Sequence, residues 1–250
     1  MKTSLPAAVL LLLLATTATA LDEVPETAEP THPPIVDPGQ PSTPAKVGSA
    51  PSDAIVLFDG TNFDMWEGTR GDKTVKWKLL EDGSMEVTKG GGSLRTKERY
   101  GFGQYHIEFR TPEVVKGKGQ GRGNSGVFPM GKAEIQVLDS YDNLTYRDGQ
   151  CGAIYKRHVP IVNACRQPGV WQTYDLIVHP PLLDAEGKKL RNGAYTVLHN
   201  GVLIHAYAEI NASRATDAGQ LSLQDHGNPV RYRNIWHRPW AEPLPRPSKK

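Results

Sequence analysis

In the run "AEIQVLDS" a carboxylate, an amide and a second carboxylate follow in turn as Glu134, Gln136 and Asp139. A carboxylate can take or give a proton, and an amide beside it can hydrogen-bond a substrate without adding charge. If the run is a strand, its side chains alternate between two faces. Ala133, Ile135 and Val137 then share an apolar face. Glu134 and Gln136 share the other, about 6.5 Å apart along the chain. Strict alternation returns Asp139 to the core, where an unpaired carboxylate is costly. A β-bulge near Leu138 would rotate it onto the face of Glu134 and Gln136. The alternative is that Asp139 caps the loop that follows.

Further polar residues lie where they could join this face. "LQDHGNPVRYRNIW" holds Gln224, His226, Arg231 and Arg233, and its Gly-Asn-Pro turn presents His226. A loop histidine bonded to backbone is the plainer reading of it. Alternation sets Val230, Tyr232 and Asn234 opposite Arg231, Arg233 and Ile235. Arg122 and Asn124 sit in the glycine-rich "GKGQGRGNSG". That run lacks the Gly-Lys-Ser/Thr ending of a phosphate-binding loop and suits a lip beside a cleft. Lys156 follows "CGAIY". No serine nucleophile elbow, His-Glu-x-x-His or dinucleotide fingerprint occurs. Trp66, Trp77, Trp171, Trp236 and Trp240 suit stacking on sugar rings, although each alone is more simply core.

The elements that position these residues read as strands. Turn residues punctuate the chain every eight to twelve positions, the mark of an all-β sandwich or barrel. "QYHIEFRTP" puts Tyr105, Ile107 and Phe109 on one face and His106, Glu108 and Arg110 on the other. "WQTYDLIVHP" is a strand ended by Pro180-Pro181. "YTVLHNGVLIHAYAEI" is a hairpin around Asn200-Gly201, the dipeptide suited to a type I′ turn. "GVFPMGKAEIQVLDS" is two strands with a turn near Gly131. "SRATDAG" suits one helical turn.

The 250-residue chain divides readily. Residues 1–20 have a basic start, the apolar run "AAVLLLLLA" and an A-x-A-like site, which together read as a secretory signal peptide. That run is too short to span a bilayer, and no later stretch is apolar enough. Residues 21–51 are rich in proline and lack aromatics, so an extended disordered linker is expected. The folded domain is expected over 52–241, with a flexible tail at 242–250. A net charge of +2, with basic and acidic residues interspersed, gives no nucleic-acid footprint. Cys151 and Cys165 in an exported chain are expected to pair as a disulfide.

"FDGTNFDMW", "YGFGQYHIEFRTP", "GNSGVFPMGKAEIQVLDSY", "WQTYDLIVHPP", "VLHNGVLIH" and "LSLQDHGNPVRYRNIW" together resemble the 3-keto-disaccharide hydrolase domain family, over roughly 52–241. The resemblance implies an all-β, concanavalin-like jelly-roll β-sandwich of two antiparallel sheets, akin to laminarinases. Those enzymes carry Glu-x-Asp-x-x-Glu on one strand. Here the matching residues are Glu134, Gln136 and Asp139, and a Gln in the middle supplies neither proton nor nucleophile for a two-carboxylate mechanism. The substrate class the resemblance implies, a 3-keto-glycoside, needs one base, because the ketone acidifies the C2 proton. The aglycone then leaves by β-elimination and water adds back.

On this reading the chain is an exported bacterial enzyme, secreted or periplasmic, with a sugar 3-oxidoreductase acting upstream. Glu134, Asp139 and His226 are the catalytic candidates. Gln136, Arg122, Asn124, Lys156, Gln224 and Arg231 are expected to bind substrate. A divalent metal is left open, with Glu134, Asp139 and His226 as its ligands. The alternative is a non-catalytic carbohydrate-binding module on the same fold.

Overall fold

The computed structural model describes residues 34–212 and 216–239. The expected leader, the first part of the linker, the tail at 242–250, Trp240 and the start of "SRATDAG" lie outside them. Two antiparallel sheets carry the fold. In spatial order the larger runs Val202–Ile210, Gly193–His199, Gln172–His179, Gly103–Arg110, Arg231–Pro239, Met85–Glu86 and Lys78–Leu79, and Ile55–Phe58 also pairs with the 231–239 strand. The smaller runs Trp66–Gly68, Leu94–Thr96, Ser222–Leu223, Ser125–Phe128 and Ile135–Val137. This is the two-sheet antiparallel jelly roll expected. No helix among the described residues is long and apolar enough to cross a membrane.

Alternation builds the core. Tyr105, Ile107 and Phe109 point inward from one sheet, and Leu94, Val127, Ile135 and Val137 from the other, all fully buried. Asn200 and Gly201 take φ of 52° and 79°, the paired left-handed conformations of the expected hairpin turn. Strict alternation fails at Asn234. Its φ is 45°, and the pairing with the 103–110 strand shifts register between Arg233 and Trp236. The bulge turns Arg233 and Asn234 to the same side and returns Ile235 to the core.

Three tyrosines of the larger sheet reach across the core to the Ser125–Val137 hairpin. Tyr174 Oη donates to Gln136 O at 2.6 Å, Tyr195 Oη to Pro129 O at 3.0 Å, and Tyr232 Oη to Ser125 Oγ at 2.7 Å. Ser125 Oγ in turn donates to Gln224 O at 2.6 Å. A phenol spends its ring on the core, and its buried hydroxyl finds there the polar partner it needs.

Two expectations need correction. Residues 36–51 do not behave as a free linker. Gln40 bridges Ser49, Asn234 Nδ2 donates to Ser42 Oγ at 3.2 Å, and Arg233 donates to Thr43 O at 2.8 Å. The segment has too little apolar surface to fold alone, so polar groups of the sandwich hold it as a strap. The expected Cys151–Cys165 disulfide is absent, and both thiols are free. The two thiols nonetheless lie against each other, with Cys151 Sγ also 3.1 Å from Tyr174 Oη in the core and Cys165 Sγ donating to Arg166 O at 3.4 Å.

Tyr174→Phe keeps the ring and removes one of the two hydrogen bonds to the Gln136 carbonyl, which still accepts from Gly152 N. The expected loss is about 0.5–1.5 kcal/mol in denaturant unfolding at unchanged m-value. Unchanged stability would show that the hydroxyl contributes nothing to holding the hairpin.

Candidate active site

Glu134 and Gln136 share the outer face of the smaller sheet, as alternation requires. What makes room for the Glu134 carboxylate is a missing side chain. A Cβ on Gly126, the residue paired with Gln136, would stand 2.2 Å from Glu134 Oε1. The carboxylate therefore lies over bare backbone. Burial raises its pKa to about 7. No cation pairs with it among the described residues, so desolvation acts unopposed.

Gln136 is buried beside it. In one orientation its amide nitrogen donates to Gln120 Oε1 at 2.8 Å. Turned over, the nitrogen donates to Glu134 Oε1 at 3.1 Å and Ser125 O at 2.9 Å. The amide can thus accept from a protonated Glu134 or donate to an ionised one. Asn124 Nδ2 donates to Gln120 O at 2.7 Å. The Asn124 Oδ1 and Gln224 Oε1 atoms are buried with no partner among the described residues, and both can accept from a substrate hydroxyl. Tyr155 N donates to Glu134 O at 2.9 Å, and Tyr146 and Tyr155 share a hydrogen bond. Lys156 Nζ lies 3.4 Å from the Tyr146 ring centroid, a cation–π contact at the rim.

Asp139 goes elsewhere. Val137 and Leu138 are both core, the strand ends at Val137, and Asp139 caps the loop that follows by accepting from Tyr141 N at 3.2 Å. It then pairs with Arg122 Nε at 2.6 Å, and Arg122 also donates to Tyr141 O. The two line a cleft of about 550 Å³ with Arg231, Asn228, Glu86 and Arg110, and Glu134 is not among its walls. Arg231 is held there by Glu86 at 2.9 Å. His226 is exposed, and its ring makes no hydrogen bond or ion pair among the described residues. The expected catalytic trio is therefore not assembled: Glu134 stands mid-face, Asp139 is neutralised beyond the strand end, and His226 faces solvent. Nor do the three fit a metal, for no three His, Cys, Asp or Glu side chains among the described residues form a ligand group.

A second polar cluster lies on the outer face of the larger sheet. Glu108 accepts from Arg233 Nε at 2.6 Å and from Asn234 Nδ2 at 2.8 Å, and His106 Nδ1 lies 2.8 Å from Asp175. Burial works against a charged His106, but Asp175 and Glu108 outweigh it and raise its pKa to about 9. Burial likewise opposes ionised Glu108, yet His106, Ser42, Asn234 and Arg233 hold its pKa at about 2. The signal for this cluster was the alternation of His106, Glu108 and Arg110, three charge-bearing side chains on one face of a long strand.

The sequence profile of the 3-keto-alpha-glucoside-1,2-lyase-like domain matches residues 53–238. The chain belongs to that family. It is a carbohydrate-active, glycoside-hydrolase-like protein. It is similar to a candidate glycosyl hydrolase from Parabacteroides distasonis, with 38% identity, a TM-score of 0.77, and coverage of 88% of this chain and 97% of that one. A second candidate glycosyl hydrolase of the same organism shares the fold at 18% identity and a TM-score of 0.58, over 76% and 94% of the two chains. No curated protein matches this chain.

Two substitutions probe the Glu134 setting. Its folded pKa lies above 4.5, so folding favours the protonated form. The stability this gives is complete below pH 4.5 and lost as pH rises through 7. Glu134→Gln does not titrate. It is expected to melt with wild type near pH 4 and above it at pH 8, and a pH-independent difference would contradict burial as the cause. Gly126→Ala intrudes on the end of a flexible side chain. Its melting temperature should fall little while activity falls sharply, and equal activity would show that the carboxylate can move without consequence.

Proposed function

We propose that this protein cleaves glycosides oxidised to a ketone at C3, with Glu134 as the base. One observation carries the reading: a single carboxylate, desolvated to a pKa of about 7, held at the start of the Ile135–Val137 strand over bare backbone. A base is most effective when its pKa lies near the working pH. The family supports the substrate class.

The C3 ketone acidifies the proton on C2. Glu134 takes that proton, and the C2–H electrons pass into an enolate on the ketone oxygen. The enolate collapses, the C1–O bond breaks, and the aglycone oxygen receives the proton that Glu134 holds. Water then adds across the C1–C2 double bond, its oxygen to C1 and its proton to C2. Each proton taken is returned, so no second carboxylate is required. This fits a strand on which Gln136 stands where a paired-carboxylate glycosidase needs an acid. The buried amide oxygens of Asn124 and Gln224 would receive sugar hydroxyls, and Lys156 would close the rim. The sequence's export leader would put the enzyme outside the cytoplasm, and a sugar 3-oxidoreductase must supply the ketone.

Purified protein incubated with a 3-keto-disaccharide and with its unoxidised parent tests this. Only the keto form should be cleaved, and kcat/KM should rise with pH through about 7 as Glu134 loses its proton. Glu134→Gln should lower turnover about 100-fold or more. Saturable binding of the keto sugar without product would leave a carbohydrate-binding module in place of an enzyme.

A further inference from the structure

The outer face of the larger sheet carries a cleft that the Glu134 chemistry does not use. It measures about 740 Å³, and the strap around Ser42 forms one wall. This is the size of a pocket for a ligand of several rings, well beyond a lone inorganic ion. Its floor is charged and largely buried, with Glu108 and Arg233 each at most 3% exposed. Glu108 is spent on Arg233, Asn234 and His106, and Asp175 on His106.

Two cations of the cleft are left over. Among the described residues neither Arg110 nor Arg166 makes an ion pair or a side-chain hydrogen bond, and both line the cleft. Arg110 is the more telling. It stands directly opposite Arg231 across the sheet, an arrangement of like charges that costs stability. Glu86 and Asp82 pair with Arg231, and no carboxylate among the described residues comes within ion-pair distance of Arg110. Its guanidinium lies 5.3 Å from the Trp171 ring centroid, and that of Arg233 lies 4.2 Å from the same ring. Burial and the neighbouring Arg231 charge press Arg110 toward its neutral form, and the more distant Asp82 and Glu113 offset this only in part. A bound anion would relieve both effects. The Thr173 side chain, also in the wall, is of a kind that suits a sugar hydroxyl.

We infer that this cleft is a second ligand site for an acidic glycan, with Arg110 and Arg166 receiving a carboxylate or sulfate group on the sugar. The glycan part rests on the family's carbohydrate chemistry, and the acidic part on the two unpaired arginines. The site lies on the opposite sheet from Glu134, so binding here is independent of cleavage there.

The test is calorimetric titration of the full-length Glu134→Gln protein, which keeps this cleft and removes turnover. The probes are an oligogalacturonate, a sulfated oligosaccharide, a neutral maltooligosaccharide of equal length and inorganic sulfate. One of the two acidic glycans should bind at least tenfold more tightly than the neutral one, and more weakly as salt is raised. Which of them binds identifies the acid group. Arg166→Gln, at an exposed position, and Arg110→Gln should each weaken that binding, and the pair together at least tenfold, with circular dichroism unchanged. Equal affinity for acidic and neutral glycans would overturn the site, as would undiminished binding to a folded double variant. Binding of inorganic sulfate alone, with no glycan preference, would also overturn it. If 3-keto-glycosides proved not to be substrates, acidic-glycan binding would be unaffected.

Discussion

Three phenol hydroxyls cross the sandwich to one hairpin, and the placement of Glu134 depends on them. Tyr174, Tyr195 and Tyr232 belong to three different strands of the larger sheet, yet each ends on the 125–137 segment or its side chains. A buried polar atom left without its partner is expensive, so each bond penalises any shift of the hairpin. A one-residue slip would send Glu134 inward and Ile135 outward. Hydrophobic burial alone would tolerate small sliding of one sheet over the other. Directional bonds do not.

The same fixing explains how one carboxylate can be kept out of water. Gly126 leaves the space, Gln136 leaves the charge unpaired, and the rigid hairpin prevents Glu134 from swinging away to solvent. On the larger sheet the logic is reversed. There Glu108 and His106 are buried among partners that hold both ionised. One fold thus contains a carboxyl raised by isolation and another lowered by company.

Much of this was legible in the sequence. Alternation put Tyr105, Ile107 and Phe109 inside and Glu134 with Gln136 outside, and Asn200-Gly201 located its turn, because period and turn chemistry are local properties. Asp139 was not legible to the same degree. A bulge and a loop cap both fitted its position, the cap is what forms, and its pairing with Arg122 depends on a loop whose path no local rule fixes. His226 failed for the same reason. The strap at 36–51 misled through composition, which reports what a segment can bury on its own. It says nothing of carbonyl oxygens offered to an arginine elsewhere, as Thr43 offers to Arg233. The Glu108 cluster was visible as an alternating charged face, but its carboxylate partners lie across strands far apart in sequence.

The position of the Arg231–Pro239 strand has a consequence for biosynthesis. Among the described residues it is the last strand in sequence, yet it lies inside the larger sheet, flanked by Gly103–Arg110 on one side and by Ile55–Phe58 and Met85–Glu86 on the other. Until it emerges, the earlier strands have an open edge and Glu108 lacks Arg233. Closure therefore waits until this strand has been made, and it joins residues more than a hundred positions apart, a topology that folds slowly. A nascent chain that still lacks residues 231–239 would keep the larger sheet open.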